Sequence, residues 1–131
     1  MIVERALGRS DELLRLYNDA LAGAQRQRGG DAFLESLGVD ESTLDMLLHE
    51  KSLWVASSDG LKGFGVCSRS VIMGLYVDST HRRQGIARAI ANEIMRACSP
   101  VDAYALPGDR AMKSLYESFG WKARLLTMRA E

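Results

Sequence analysis

The sequence predicts an α/β (α+β) fold, a mixed central sheet flanked by helices. Three observations carry the prediction. Short apolar runs at 53–57, 63–68 and 71–77 are separated by turn residues, the pattern of consecutive antiparallel strands. Ile86, Ile90 and Ile94 repeat every four residues, the stripe of a helix laid on a sheet. The whole chain then reads as strand, helices, strand run, helix, strand, helix, strand, an order that places helices on the faces of a mixed sheet.

Each element has its own local reason. Ile2-Val3-Glu4-Arg5-Ala6 reads as a first strand. Ser10 is a helix N-cap, with Asp11 and Glu12 in a first turn where acids suit the dipole. Leu13, Leu14, Leu16, Tyr17, Ala20, Leu21 and Ala24 follow helical spacing, and Gly29-Gly30 breaks that helix. Residues 31–37 form a short helix stopped by Gly38, and 41–49 another with Leu44, Leu47 and Leu48 inward. Asp59-Gly60 is a hairpin turn between the strands at 53–57 and 63–68. Ala87, Ala91 and Cys98 flank the isoleucine stripe, and Pro100 follows its helix. Residues 101–106 are a short strand, and Pro107-Gly108 turns the chain. Asp109 caps a helix running to Phe119, Gly120 fits the left-handed position past its end, and 121–129 read as one continuous last strand.

Composition narrows the function classes. The 131 residues are one domain's worth of chain, with 47% apolar and 26% charged residues, ordinary for a globular protein. Seventeen basic side chains balance seventeen acidic ones. Bulk electrostatics therefore favours neither nucleic acid nor a membrane surface. No apolar run approaches the roughly 20 residues that cross a bilayer, and residues 1–5 lack a signal-peptide apolar region. A cytoplasmic location is the default expectation. Cys67 and Cys98 fall in no metal-like or redox-like spacing and read as reduced, partly buried thiols, and no metal is expected. There is no Gly-x-x-x-x-Gly-Lys-Ser/Thr, and Gly63-Phe64-Gly65 lies inside a strand rather than opening a helix, so nucleotide binding is weakly supported.

The most informative stretch is Leu75-Tyr76-Val77-Asp78-Ser79-Thr80-His81-Arg82-Arg83-Gln84-Gly85-Ile86-Ala87-Arg88. It reads as a strand entering a tight basic loop that opens a helix. Such a loop aims several backbone N–H groups at one spot, beside the positive end of a helix dipole, and so makes a seat for phosphate. Gly85 removes a side chain that would obstruct an oxyanion, Ala87 is nearly as small, and Arg82 and Arg83 add positive charge.

Arg82, Gly85 and Ala87 fill the pattern Arg/Gln-x-x-Gly-x-Gly/Ala, and the stretch resembles the cofactor motif of the Gcn5-related N-acetyltransferase (GNAT) family. Residues 111–121, Ala-Met-Lys-Ser-Leu-Tyr-Glu-Ser-Phe-Gly-Trp, resemble that family's second motif, a helix carrying a tyrosine followed by glycine and an aromatic. The resemblance spans roughly residues 50 to 121 well and the earlier part loosely. It implies the acyl-CoA N-acyltransferase fold, with acetyl-coenzyme A (acetyl-CoA) as co-substrate and direct transfer of its acetyl group to a primary amine in a ternary complex. By the same resemblance, Arg82, Arg83, Gln84, Gly85, Ile86, Ala87 and Arg88 seat the pyrophosphate. The backbone of Leu75, Tyr76 and Val77 holds the pantetheine arm and polarises the thioester carbonyl. From the residue itself, Gly74 marks either a bulge that splays this strand from its neighbour or a close backbone contact.

The chemistry asks for a proton donor to the leaving thiolate and an acceptor for the amine proton. Tyr116 is the candidate donor, a phenol whose alternative is simple packing on an amphipathic helix. The family usually carries Asn where this chain has Asp109, and an ionised Asp cannot donate a hydrogen bond to the cofactor. The base is not identified: Asp78, His81, His49 and Glu50 are all open, as is a water relay. Arg26 and Arg28 precede Gly29-Gly30 in the region that lines the acceptor site in the family, and either attract an anionic acceptor or form a solvated turn. Only eleven residues follow Gly120, where the family usually has two strands. The expectation is that this wall is missing or is completed by a second copy in a homodimer. The alternative to an enzyme is an acetyl-CoA-binding sensor of the same fold.

Overall fold

The structure, a computed structural model, describes residues 1–130. Five strands form one sheet in the order β1 (Ile2–Arg5), β2 (Leu53–Ser57), β3 (Leu61–Ser68), β4 (Val71–Val77), β5 (Asp102–Ala103). The first four are antiparallel neighbours, and β5 joins β4 in parallel. Between β1 and β2 come α1 (Asp11–Arg26), α2 (Gly30–Leu37) and α3 (Thr43–His49). α4 (Ile86–Cys98) crosses from β4 to β5, and α5 (Arg110–Ser118) follows. The mixed sheet with flanking helices is as the sequence predicts.

The caps form as read. Ser10 Oγ accepts from the Leu13 N–H at 3.1 Å, and an Asp109 carboxylate oxygen accepts from the Met112 N–H at 3.0 Å. Asp59 and Gly60 both take positive φ in the three-residue connection between β2 and β3. Arg69 and Ser70 do the same between β3 and β4 without a glycine.

Two cores sandwich the sheet. On one face Leu13, Leu16 and Tyr17 of α1 and Leu44 and Leu47 of α3 cover Leu53, Val55, Phe64 and Val66. On the other, Ile86, Ile90 and Ile94 of α4 and Tyr116 of α5 cover Trp54, Ala56, Cys67, Ile72 and Leu75. Leu53 and Val55 point one way and Trp54 and Ala56 the other, the period-two alternation of a strand buried on both faces. Each of the three isoleucines is at least 96% buried, which contributes about 1.5–3 kcal/mol apiece. Gly65 lets α4 lie this close: a Cβ there would stand 2.7 Å from both Ile90 Cγ2 and Leu75 Cδ2. This is the structural use of the Gly63-Phe64-Gly65 run.

The sheet departs from expectation at its β5 end. Val66 pairs with Gly74 and Cys67 with Ile72, so Met73 is an extra residue in β4, beside the predicted bulge at Gly74. Beyond Ile72 the parallel ladder stops, its last rung running from the Tyr104 N–H to the Ile72 carbonyl at 3.0 Å. The strand expected over 101–106 is therefore two residues long, because β4 bends away from it. The strand expected over 121–129 is absent: among the described residues, 121–130 carry no regular structure. A β5 this short offers little edge for another strand. Instead Trp121 stacks on Tyr116, with ring centres 5.9 Å apart, and Leu125, Leu126 and Met128 are exposed.

Candidate active site

The split between β4 and β5 opens a cleft of about 880 Å³ that reaches both faces of the sheet. Its size falls in the upper range of small-molecule and cofactor sites, roughly 300–1,000 Å³. Of the predicted cofactor residues, Leu75, Tyr76, Val77, Arg82, Arg83, Gly85, Ile86, Ala87, Arg88 and Asp109 all line it. Gln84 and Tyr116 do not.

The loop after β4 is built for an anion. A short 3-10 turn, Ser79–His81, leads into Arg82. Arg83 and Gly85 both take left-handed conformations, at φ 65° and 79°. Gly85 is the N-cap of α4 and supplies no side-chain cap, so the first N–H groups of the helix keep no internal partner. Together these make a concavity of backbone donors at a positive dipole end. The glycine is required by its φ. A Cβ there would meet no protein atom and would instead enter the open space before the helix.

The arginines divide the work. Arg82 Nε donates to the Val77 carbonyl at 3.1 Å, and its guanidinium lies over the Tyr76 ring at 5.5 Å. Arg88 donates to Ser118 Oγ at 3.0 Å and stacks over Phe119 at 5.1 Å. Its side chain thus ties α4 to α5, leaving its backbone N–H as the group available to an anion. Asp109 is committed to the Met112 N–H as the cap of α5.

Tyr116 is placed differently from the sequence expectation of a hydroxyl facing the cleft. It is 6% exposed, packs behind the lining against Trp121, and its hydroxyl is buried without a hydrogen-bond partner among the described residues. Burial above all, with lesser contributions from Asp109 and Cys67, raises its pKa well above the usual phenol value. Burial likewise pushes the Cys67 thiol up to about 11, helped by neighbouring Cys98, so it stays protonated and inert at neutral pH. Both cysteines are free thiols.

The candidate bases are mostly engaged. Asp78 is partly desolvated, but hydrogen bonds from the Thr80 N–H and Arg15 outweigh that and hold its carboxyl below the usual range. His81 lines the cleft with Nε2 3.3 Å from Lys62 Nζ. His49 and Glu50 are exposed at the end of α3 and do not line the cleft. Arg26 lines it and Arg28 does not.

On the α1–α2 side the cleft has a wall that motif reading did not find: Tyr17, Leu21, Phe33, Phe64, Met73 and Tyr104. These residues come from distant elements, and no local pattern marks them as neighbours.

Among the described helices, none is long and apolar enough to cross a membrane. Residues 49–123 match the model of an acetyltransferase (GNAT) domain. No protein of curated function matches the chain. Several solved structures share its fold. A tetramutant of the BH1408 protein from Bacillus halodurans is 18% identical, with 100% of this chain and 99% of that one covered, at a TM-score of 0.71. A ribosomal-protein-alanine N-acetyltransferase from Brucella melitensis is 22% identical over 92% and 83%, at 0.69. Diaminobutyrate acetyltransferase EctA from Paenibacillus lautus, solved with L-2,4-diaminobutyric acid and coenzyme A, is 22% identical over 90% and 73%, at 0.64. These likenesses establish the acyl-CoA N-acyltransferase architecture, and the family model covers more than half of the sequence: the chain belongs to the GNAT acetyltransferase family.

Proposed function

We propose that this protein is an N-acetyltransferase that moves the acetyl group of acetyl-CoA onto a primary amine by direct attack in a ternary complex. One observation carries the reading: the uncapped start of α4, flanked by Arg82 and Arg83, opens into the same cleft as the unpaired edge of β4. A diphosphate at the helix start and an extended arm along Gly74–Val77 suit that geometry. Acetyl-CoA bound there supplies the acyl group as an activated thioester. The like-folded EctA, solved with coenzyme A and an amine substrate, supports the assignment.

This chain's own groups then have distinct tasks. Backbone N–H groups of residues 85–88 bind the diphosphate, and Arg83 adds charge. The free edge of β4 orients the arm and offers N–H donors to the thioester carbonyl. The amine nitrogen forms its bond to the acyl carbon as the carbon–sulfur bond breaks. With Asp78 and His81 both engaged, water in the cleft takes the amine proton. Tyr116 is the proposed donor to the thiolate because its hydroxyl, without a hydrogen-bond partner among the described residues, is protonated and uncommitted, although its raised pKa must fall on leaving the core for the proton to transfer. The hydroxyl must rotate into the cleft to act. We also propose that a second copy covers the exposed Leu125, Leu126 and Met128.

Calorimetric titration with acetyl-CoA, followed by coenzyme A release across an amine panel, tests the reading. Micromolar one-to-one binding with release is expected. Binding without release for any amine would favour the sensor, which the withdrawn Tyr116 already suits. No binding by a folded sample would remove both.

A further inference from the structure

We infer that the acceptor is a primary monoamine carried on an apolar, flat body, and that the α1–α2 side of the cleft holds that body. The inference rests on the acetyltransferase reading and names its substrate class.

Five of the chain's nine aromatic residues line this one cleft: Tyr17, Phe33, Phe64, Tyr76 and Tyr104. Three of them form a continuous run on the sheet face, Tyr17 against Phe64 at 5.8 Å and Phe64 against Tyr76 at 6.0 Å between ring centres. Phe33 of α2 meets Tyr104, just past β5, edge to face at 6.0 Å and 89°. Two walls of the cleft thus touch through aromatic rings, and a flat ring fits such offset and edge-on surfaces. Leu21 and Met73 extend the apolar lining. The Tyr17 hydroxyl is held by Thr43 Oγ1 at 2.5 Å and the Asp40 carbonyl at 3.2 Å, and its buried ring backs the wall from the core, leaving the more open Phe33, Tyr76 and Tyr104 to meet a ligand.

The charges disfavour acceptors that carry a second ammonium. Among the described residues Asp109 is the only acidic one lining the cleft, and its carboxylate is spent on the cap of α5. Arg26, Arg82, Arg83 and Arg88 also line it. A polyamine or a basic peptide would therefore place its second ammonium against an apolar wall without a free carboxylate to pair it. A monoamine carries one charge and loses it before attack.

The test ranks 2-phenylethylamine, spermidine and a lysine peptide by kcat/KM with acetyl-CoA. Phenylethylamine should exceed both by at least about 100-fold. Spermidine or peptide ranking equal or higher overturns the inference. So does a preference for long acyl-CoA without discrimination among amines, which would give the wall to an acyl chain instead. Calorimetry of phenylethylamine, with the protein free and saturated with coenzyme A, reads the pocket without turnover. Saturable one-to-one binding that spermidine fails to show is expected, and its absence overturns the inference even if another amine is acetylated. If acetyl-CoA does not bind but phenylethylamine does, the transferase reading fails while the pocket stands. Tyr104→Ala, at a side chain 40% exposed, should raise the phenylethylamine KM about tenfold. Acetyl-CoA affinity should stay within about twofold. An unchanged KM removes the Phe33–Tyr104 pair from the acceptor site, and Phe33→Leu repeats the measurement with helix packing kept.

Discussion

Arg82 Nε donates to the carbonyl of Val77 at 3.1 Å, joining the loop's first arginine to the last residue of the strand before it. The same guanidinium covers the Tyr76 ring. One side chain therefore ties the end of β4 to the loop that opens α4. Anything bound to both depends on that tie.

Arg82→Ala should raise the acetyl-CoA dissociation constant about tenfold, the loss of one or two charge-assisted contacts. Arg82→Lys should recover little, because a lysine has neither the Nε donor nor the planar face. Calorimetry measures both. Wild-type affinity in either variant would detach Arg82 from the cofactor.

Gly85 separates backbone strain from obstruction. At φ 79°, alanine costs about 1 kcal/mol of stability and only modest affinity. Gly85→Glu adds bulk and negative charge where the diphosphate belongs, and should abolish measurable binding in a sample that still melts cooperatively. Binding retained by a folded Gly85→Glu protein would move the anion seat elsewhere.

Tyr116→Phe is expected to act in opposite directions on stability and turnover. Removing a buried hydroxyl without a partner should leave the protein as stable or about 1 kcal/mol more stable. If the hydroxyl swings out to protonate the thiolate, kcat falls about 100-fold with cofactor affinity nearly intact. Full activity would leave Tyr116 to its packing against Trp121.

Stability should decline in alkali. Burial raises the pKa of Cys67, Tyr17 and Tyr116 above reference values of 9.0, 10.0 and 10.0. Above pH 9 the unfolded chain releases protons that the folded one retains, so unfolding becomes easier as pH rises. The contribution is fully present below pH 9. Melting temperatures from pH 7 to 11 should fall above 9, and less steeply in Tyr116→Phe. A flat profile would mean that these groups are more solvated than their burial indicates.

Leu125, Leu126 and Met128 lie exposed in the segment after α5. Light scattering coupled to size exclusion should give twice the 14.5 kDa chain mass at high concentration. Replacing the three with serine should return the monomer. A monomer in the parent protein removes the second-copy proposal.

The sequence by itself determined what short-range chemistry can specify. Ser10 and Asp109 capped the helices they precede, because a cap needs only an oxygen three residues from an N–H. Asp59-Gly60 turned the chain, and the isoleucine stripe chose the buried face of α4. The anion loop was legible for the same reason, since Gly85 and the helix it opens are neighbours in the chain.

Tertiary structure alone decided where pairing stops and which side chains share a space. A strand needs a partner, and the bulge at Met73 took β4 away from β5, so 101–106 shortened and 121–129 never paired. Tyr116 carries its motif, yet packing put it behind the cleft lining. Lys62 reaches His81 and Arg15 reaches Asp78 from other elements, which engages two candidate bases that look free in the sequence. Phe33 and Tyr104 stand 71 positions apart and meet at 6.0 Å. Local pattern encodes backbone preference and capping, whereas the acceptor wall is made by contacts that exist only once the sheet has closed its two cores.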